Sequence, residues 1–143
     1  MERNSKPAIE TKRYSMRIEH LAIWVQDLEK SKAFYSHYFG AQAGEKYHNP
    51  AKEFTSYFLS FEKGSRLELM HKPTITFAKS NDQDFLGIAH FAISVGTKEK
   101  VDSLTQKLRD DGYRIIGAPR TTGDGYYESV VLDPDGNSIE ITI

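Results

Sequence analysis

The sequence predicts an α+β fold of two tandem βαβββ modules, each folded into a curved mixed sheet. Two observations carry this prediction. The order strand, helix, strand, strand, strand can be read twice along the 143 residues. The two halves also align on their chemistry. Glu19-His20-Leu21-Ala22-Ile23-Trp24-Val25 falls on Ala89-His90-Phe91-Ala92-Ile93-Ser94-Val95 at an offset of 70, and Gly64-Ser65-Arg66-Leu67-Glu68-Leu69 falls on Gly136-Asn137-Ser138-Ile139-Glu140-Ile141 at an offset of 72. A two-residue insertion reconciles the offsets, as expected of a duplicated unit.

The elements follow in order. Residues 1–16 read as a polar N-terminal arm. The first module spans 17–72. Arg17–Gln26 alternates as a strand, with Ile18, Leu21, Ile23 and Val25 available to a core. Asp27 is a good N-cap and Gly40 a good stop for a helix over Leu28–Phe39, on which Leu28, Phe34, Tyr35 and Tyr38 share one side. Strands follow near Gly44–His48, Phe54–Phe61 and Arg66–His71, the last two joined by a turn at Glu62-Lys63-Gly64-Ser65. Residues 73–86 form a polar connector. The second module, 87–143, repeats the pattern. Ile88–Val95 is a strand, and Thr97 caps a helix over Lys98–Asp110 with Val101, Leu104 and Leu108 inward and Gly112 beyond its end. Tyr113–Ile116, Tyr126–Leu132 and Ser138–Ile143 are strands, and Asp133-Pro134-Asp135-Gly136-Asn137 joins the last two. That segment is too short, with the wrong carboxylate spacing, for a calcium loop and reads as a β-turn.

Composition removes several classes of function. Basic and acidic residues number 19 and 20, a formal charge of −1, so neither a nucleic acid nor an anionic membrane surface has electrostatic support as a partner. No cysteine is present, which rules out disulfides, thiolate metal sites and a cysteine nucleophile. No apolar run is long enough to span a bilayer, and the first residues lack the apolar centre of a signal segment, so the expected location is cytoplasmic.

Strand parity then selects candidate residues. Side chains alternate between the two faces of a strand. Glu68 therefore points away from Leu67 and Leu69, and Glu140 away from Ile139 and Ile141. His20, Ala22 and Trp24 share one face, and His90, Ala92 and Ser94 the matching face of the other module. A single strand histidine is ordinarily a hydrogen-bonded, partly buried residue, and a single Glu between aliphatics is ordinarily the wet side of a strand. Recurrence of both at corresponding positions favours a metal site, because an ionised Glu facing inward needs a cation. His20, Glu68, His90 and Glu140 are the expected ligands, converging if the modules pair within or between chains. His37, His48 and His71 have no counterpart in this pattern. Trp24, Tyr126 and Tyr127 are candidate walls of a substrate cleft, with strand packing the simpler reading of the tyrosines.

These residues give the sequence a resemblance to the vicinal oxygen chelate superfamily, which includes glyoxalase I, methylmalonyl-CoA epimerase, extradiol dioxygenases and the fosfomycin and bleomycin resistance proteins. The likeness covers residues 17–143. It rests on the His20 strand, Asp27-Leu28-Glu29-Lys30-Ser31-Lys32-Ala33-Phe34-Tyr35, His90, and the run from Asp133 to Glu140. The resemblance implies barrel-like sheets curling around a divalent ion, usually in a homodimer. In glyoxalase I the ligands are His, Glu, His and Glu, matching His20, Glu68, His90 and Glu140 in turn. Zn²⁺ or Ni²⁺ suits that set, as do Co²⁺ and Mn²⁺. The implied activity is a glyoxalase-like lyase or isomerase that works through an enediolate on a small vicinal-oxygen substrate, with Glu140 first and Glu68 second as proton carrier. An epimerase resembling methylmalonyl-CoA epimerase, or a non-catalytic resistance-type binding protein, is the alternative. The chain departs from the glutathione-dependent enzymes at two substrate-binding positions. Trp24 stands where they carry an Arg and Lys72 where they carry an Asn, and an indole cannot make the carboxylate contact of a guanidinium.

Overall fold

The computed structural model describes residues 16–78 and 83–143; all but the last residue of the expected arm lies outside them. In chain order the elements are β1 (His20–Trp24), α1 (Leu28–Phe39), β2 (Gln42–Ala43), β3 (Tyr47–Asn49), a 3-10 turn at Pro50–Lys52, β4 (Phe54–Ser60), β5 (Arg66–His71), β6 (Phe91–Ser94), α2 (Lys98–Asp110), β7 (Ile115–Thr121), β8 (Tyr127–Leu132) and β9 (Ser138–Thr142). Both helices begin and end where the sequence places them. Asp27 accepts the N–H of Lys30 at 3.0 Å and Thr97 that of Lys100 at 3.2 Å, so each N-terminus is satisfied by a side chain. Gly40 closes α1 in the left-handed region at φ 66°, a conformation that costs glycine nothing.

Each half folds into its own mixed sheet, in the orders β1-β5-β4-β2, with β3 also on β4, and β6-β9-β8-β7. The first and last strands of each half pair in parallel, Ala22 opposite Glu68 and Ala92 opposite Glu140. The repeated registers confirm the duplication read from the sequence.

Two strands differ from expectation. The segment near 44–48 is split between β2 and β3. Gly44 still donates to the carbonyl of Phe58 at 3.0 Å, but the chain then leaves the sheet and Lys46 reaches Glu29 on α1 at 3.1 Å. In the second half β7 starts later and runs further, through Gly117 and Pro119. It is an edge strand with two register shifts, which is where proline is tolerated. A Cβ on Gly117 would lie 3.3 Å from Val130, so the close approach to β8 favours glycine.

One core joins the halves. Leu67, Leu69, Ile139 and Ile141 are buried against the helices, as parity requires, together with Phe34, Tyr35, Val101 and Leu108. Ile18 stays in solvent because β1 begins two residues later. α1 and the segment leading into it reach across from the first half to the second. Phe34 packs on Tyr113 at 4.9 Å and Tyr35 on Phe91 at 6.4 Å between ring centres. The Tyr35 hydroxyl donates to buried Asp133 at 2.7 Å, and the Gln26 N–H donates to Asp135 at 3.0 Å. Among the described residues no strand pairing joins the two sheets. The sheets are therefore open rather than closed into one barrel: β1 and β6 each end a sheet, and the bonds that bridge the halves run through side chains and the Gln26 N–H. No described helix is long and apolar enough to cross a membrane.

Candidate functional site

The alternation that buries Leu67 and Leu69 turns Glu68 to the face away from the helices, and Ile139 and Ile141 do the same for Glu140. On the neighbouring parallel strands the histidines reach that face from two residues before the partners of the glutamates, His20 before Ala22 and His90, directly ahead of β6, before Ala92. His20 Nε2 lies 3.8 Å from Glu68 Oε1, and His90 Nε2 lies 2.9 Å from Glu140 Oε1. Each half thus builds one His–Glu pair, as the repeat requires. The pairs do not meet within the chain. Among the described residues no three His, Asp or Glu side chains gather closely enough to hold an ion. Two cavities of the structure do not bring the pairs together either. A cleft of about 1470 Å³ between the halves borders His90 but not Glu140, His20 or Glu68, and one of about 680 Å³ lies at the start of α1.

The surroundings of the two pairs differ. His20 is fixed on both sides, its Nδ1 2.5 Å from Glu19 Oε2 and its ring edge-on to Phe58 at 5.2 Å. Glu68 is largely sheltered behind it. In the second half, Glu140 sits beside Glu128. Burial first, then the hydrogen bond and charge of Glu128, push the Glu140 carboxyl above its ordinary range, against the opposing charge of His90. Glu128 was not singled out in the sequence. It lies two residues before Val130, the cross-strand partner of Glu140, so strand parity would have revealed it once the β8–β9 register was known.

The remaining candidates scatter. Trp24 stands on the same face as His20, 43% exposed, with its ring edge-on to Phe54 at 6.1 Å; Phe54 in turn meets Tyr47 at 6.0 Å. These two partners make an aromatic strip that the sequence did not announce. Lys72 directly follows β5, partly exposed, and its carbonyl accepts the N–H of Ile75. Tyr126 is exposed in the turn before β8, where its N–H and carbonyl both bond Thr122. Tyr127 belongs to the opposite face. Its hydroxyl donates to Asp102 of α2 and Lys98 lies over its ring at 4.9 Å, so it packs on the helix and lines no cleft with Trp24. His71 is occupied by the carbonyl of Val25 at 2.9 Å.

The donor chemistry fits a borderline divalent ion. Each half offers one imidazole nitrogen and one carboxylate on a shared face, so two halves supply the N₂O₂ set that zinc-type ions accept.

The chain has relatives among known proteins and solved structures. A probable lactoylglutathione lyase of Synechocystis sp. is 33% identical over 131 residues, covering 88% of this chain and 94% of its own. The mitochondrial methylmalonyl-CoA epimerase of Bos taurus is 29% identical over 123 residues, covering 82% and 67%. The chain spans less than half of some curated relatives, 45% of a lactoylglutathione lyase of Arabidopsis thaliana among them. Among solved structures, the trypanothione-dependent glyoxalase I of Leishmania major superposes with a TM-score of 0.70 at 28% identity, covering 90% of this chain and 86% of its own. The family model described as the Glyoxalase/Bleomycin resistance protein/Dioxygenase superfamily matches residues 17–141. With the duplicated unit, its strand registers and this match in agreement, the chain belongs to the glyoxalase/bleomycin resistance/dioxygenase superfamily.

Proposed function

We propose that this protein is a divalent-metal-dependent lyase or isomerase that moves a proton beside a carbonyl in a small substrate with vicinal oxygens. The observation that carries the reading is the pair of His–Glu couples at equivalent positions, both on the face turned away from the helices. His20, Glu68, His90 and Glu140 would hold the ion. Because the couples lie in separate sheets, a second copy of the chain completes the set, and the uncovered strands β1 and β6 are the edges it would use. Modules at 17–72 and 87–143, a connector at 73–86 and a cytoplasmic homodimer belong to the same proposal.

A bound ion supplies Lewis-acid polarisation of the substrate carbonyl. The chain supplies the proton carrier. Glu140 takes the proton from the carbon next to the carbonyl, and the electron pair left behind spreads onto the carbonyl oxygen. Glu140, with His90 2.9 Å away and Glu128 beside it, then returns the proton. Return to the neighbouring carbon, with the hydroxyl proton of the first carbon passing to the former carbonyl oxygen, gives isomerisation; delivery of a proton by Glu68 instead, to the opposite face of the same carbon, with Glu140 keeping the one it took, gives epimerisation. A raised carboxyl value suits a group that must both accept and release a proton. The exposed strip of Trp24, Phe54 and Tyr47 beside the first couple favours a second reading, in which the same face holds a small molecule without converting it.

The test is metal analysis of the purified chain followed by turnover on hemithioacetals, acyl-CoA thioesters and 2-hydroxy carbonyl compounds. Glu140→Gln should keep the metal but lose roughly 10²-fold or more in kcat, because the amide retains an oxygen ligand and cannot accept the proton. A chain that carries no divalent ion and converts none of these compounds is not this enzyme, and the binding reading replaces it.

A further inference from the structure

We propose that Glu19 is a positioning residue that holds His20 as the Nδ1–H tautomer, leaving the Nε2 lone pair for a cation; this rests on the metal reading above. The carboxylate of Glu19 can only accept, so the ring nitrogen 2.5 Å from it must be the donor. In a neutral imidazole that choice leaves Nε2 as the acceptor. Glu19 is itself fixed. Its other oxygen receives Arg66 Nε at 2.7 Å and Arg66 Nη2 at 2.6 Å, its backbone carbonyl accepts the Arg66 N–H at 2.9 Å, and the guanidinium lies over Phe58 at 4.2 Å. The Phe58 ring also meets His20 edge-on, so one aromatic ring supports both the histidine and the arginine.

The consequence appears at the far side of the imidazole. His20 Nε2 and Glu68 Oε1 are 3.8 Å apart, too far for a hydrogen bond, and in this tautomer both present lone pairs. Two ligands of a zinc-sized ion at tetrahedral angles stand about 3.4 Å apart, close to this spacing. The second half is built otherwise. Ala89 replaces Glu19, Ser138 replaces Arg66, and His90 Nε2 lies 2.9 Å from Glu140 Oε1. Nothing in the duplicated fold requires the carboxylate–arginine device, since the second copy lacks it. Only the first half carries a device that presets its imidazole for a cation.

The experiment uses the full chain as wild type, Glu19→Gln and Glu19→Ala. Nitrogen-15 NMR of the imidazoles in metal-free protein, at about pH 8 where an ordinary histidine is neutral, reads the tautomer. Wild type should show His20 protonated at Nδ1, and Glu19→Ala should shift it toward the Nε2–H form with an unchanged thermal midpoint. Zinc affinity, from competition with a chelating dye, should fall about 10- to 100-fold in Glu19→Ala and less in Glu19→Gln, which keeps an acceptor oxygen. An unchanged tautomer in Glu19→Ala, or an altered tautomer with unchanged zinc affinity, overturns the proposal. Absence of zinc binding in the wild type would refute the metal reading, while the His20 tautomer would still decide what Glu19 does.

Discussion

Replacing Tyr35 by Phe removes one oxygen from the centre of the molecule. The side chain is fully buried and its hydroxyl donates to Asp133 at 2.7 Å, from the first half of the chain to the second. Asp133 is itself buried, and it also accepts Asn137 N at 2.8 Å, Asp135 N at 3.0 Å and Asn137 Nδ2 at 2.9 Å. A hydrogen bond to a charged group contributes about 1.5–3 kcal/mol. Three other donors remain on the carboxylate and the ring keeps its contacts with Phe34 and Phe91, so the lower part of that range applies, about 1.5–2 kcal/mol. Urea unfolding should show the midpoint falling with an unchanged slope. A double-mutant cycle with Asp133→Asn should return a coupling of roughly 1 kcal/mol or more. A loss under about 0.5 kcal/mol, the range of ordinary surface changes, or additive single losses, would show that this bond does not hold the halves together.

Thr105 and Ser129 make a second buried pair at 2.6 Å, and Thr105→Val strands the serine hydroxyl at a cost of about 1–3 kcal/mol; the double change with Ser129→Ala should cost less than the sum, and additive losses in urea titrations would contradict this. Burial, outweighing the hydrogen bond from Gln26, pushes the Asp135 carboxyl above its ordinary value. The folded form therefore prefers the protonated acid. The stability this group contributes is fully present below the unfolded carboxylate value of about 3.9 and is lost as pH rises through the raised folded value. The advantage of wild type over Asp135→Asn should accordingly shrink from acid toward neutral pH in unfolding titrations, and an advantage that grows with pH would reverse the argument. Trp24 is the chain's one tryptophan and is 43% exposed, so a ligand seated on its face should blue-shift its emission; an unchanged spectrum at saturation places that ligand elsewhere.

Local chemistry was the most legible part of the sequence. The helix bounds follow from Asp27, Gly40 and Thr97, and β5 from the alternation after Gly64, because caps and turns act over a few residues. The His–Glu couples were legible because duplication wrote them twice. β7 was hidden by Gly117 and Pro119, which read as loop until the strand is seen to lie at an edge. The side taken by Tyr127, and the presence of Glu128 beside Glu140, depend on the register between β8 and β9, which periodicity alone does not set. The separation of the two couples was the least legible feature. It depends on bonds such as Tyr35 to Asp133, 98 residues apart, and no local pattern encodes a contact of that range.

The side-chain bridge between the sheets gives the turn at 133–137 mechanical leverage over chemistry it never touches. Asp133 is gripped by Tyr35 of α1, and through the turn that grip leads directly into β9, the strand that bears Glu140. From Asn137 to Glu140 the strand extends about 10 Å, so a tilt of roughly 5° at the turn displaces the carboxylate by on the order of 1 Å. A misplacement of that size can cost about 10²-fold in rate. On the proposed metal reading, alignment of the two His–Glu couples would be adjustable from outside the site, and substitutions in this turn would tune reach rather than remove a ligand.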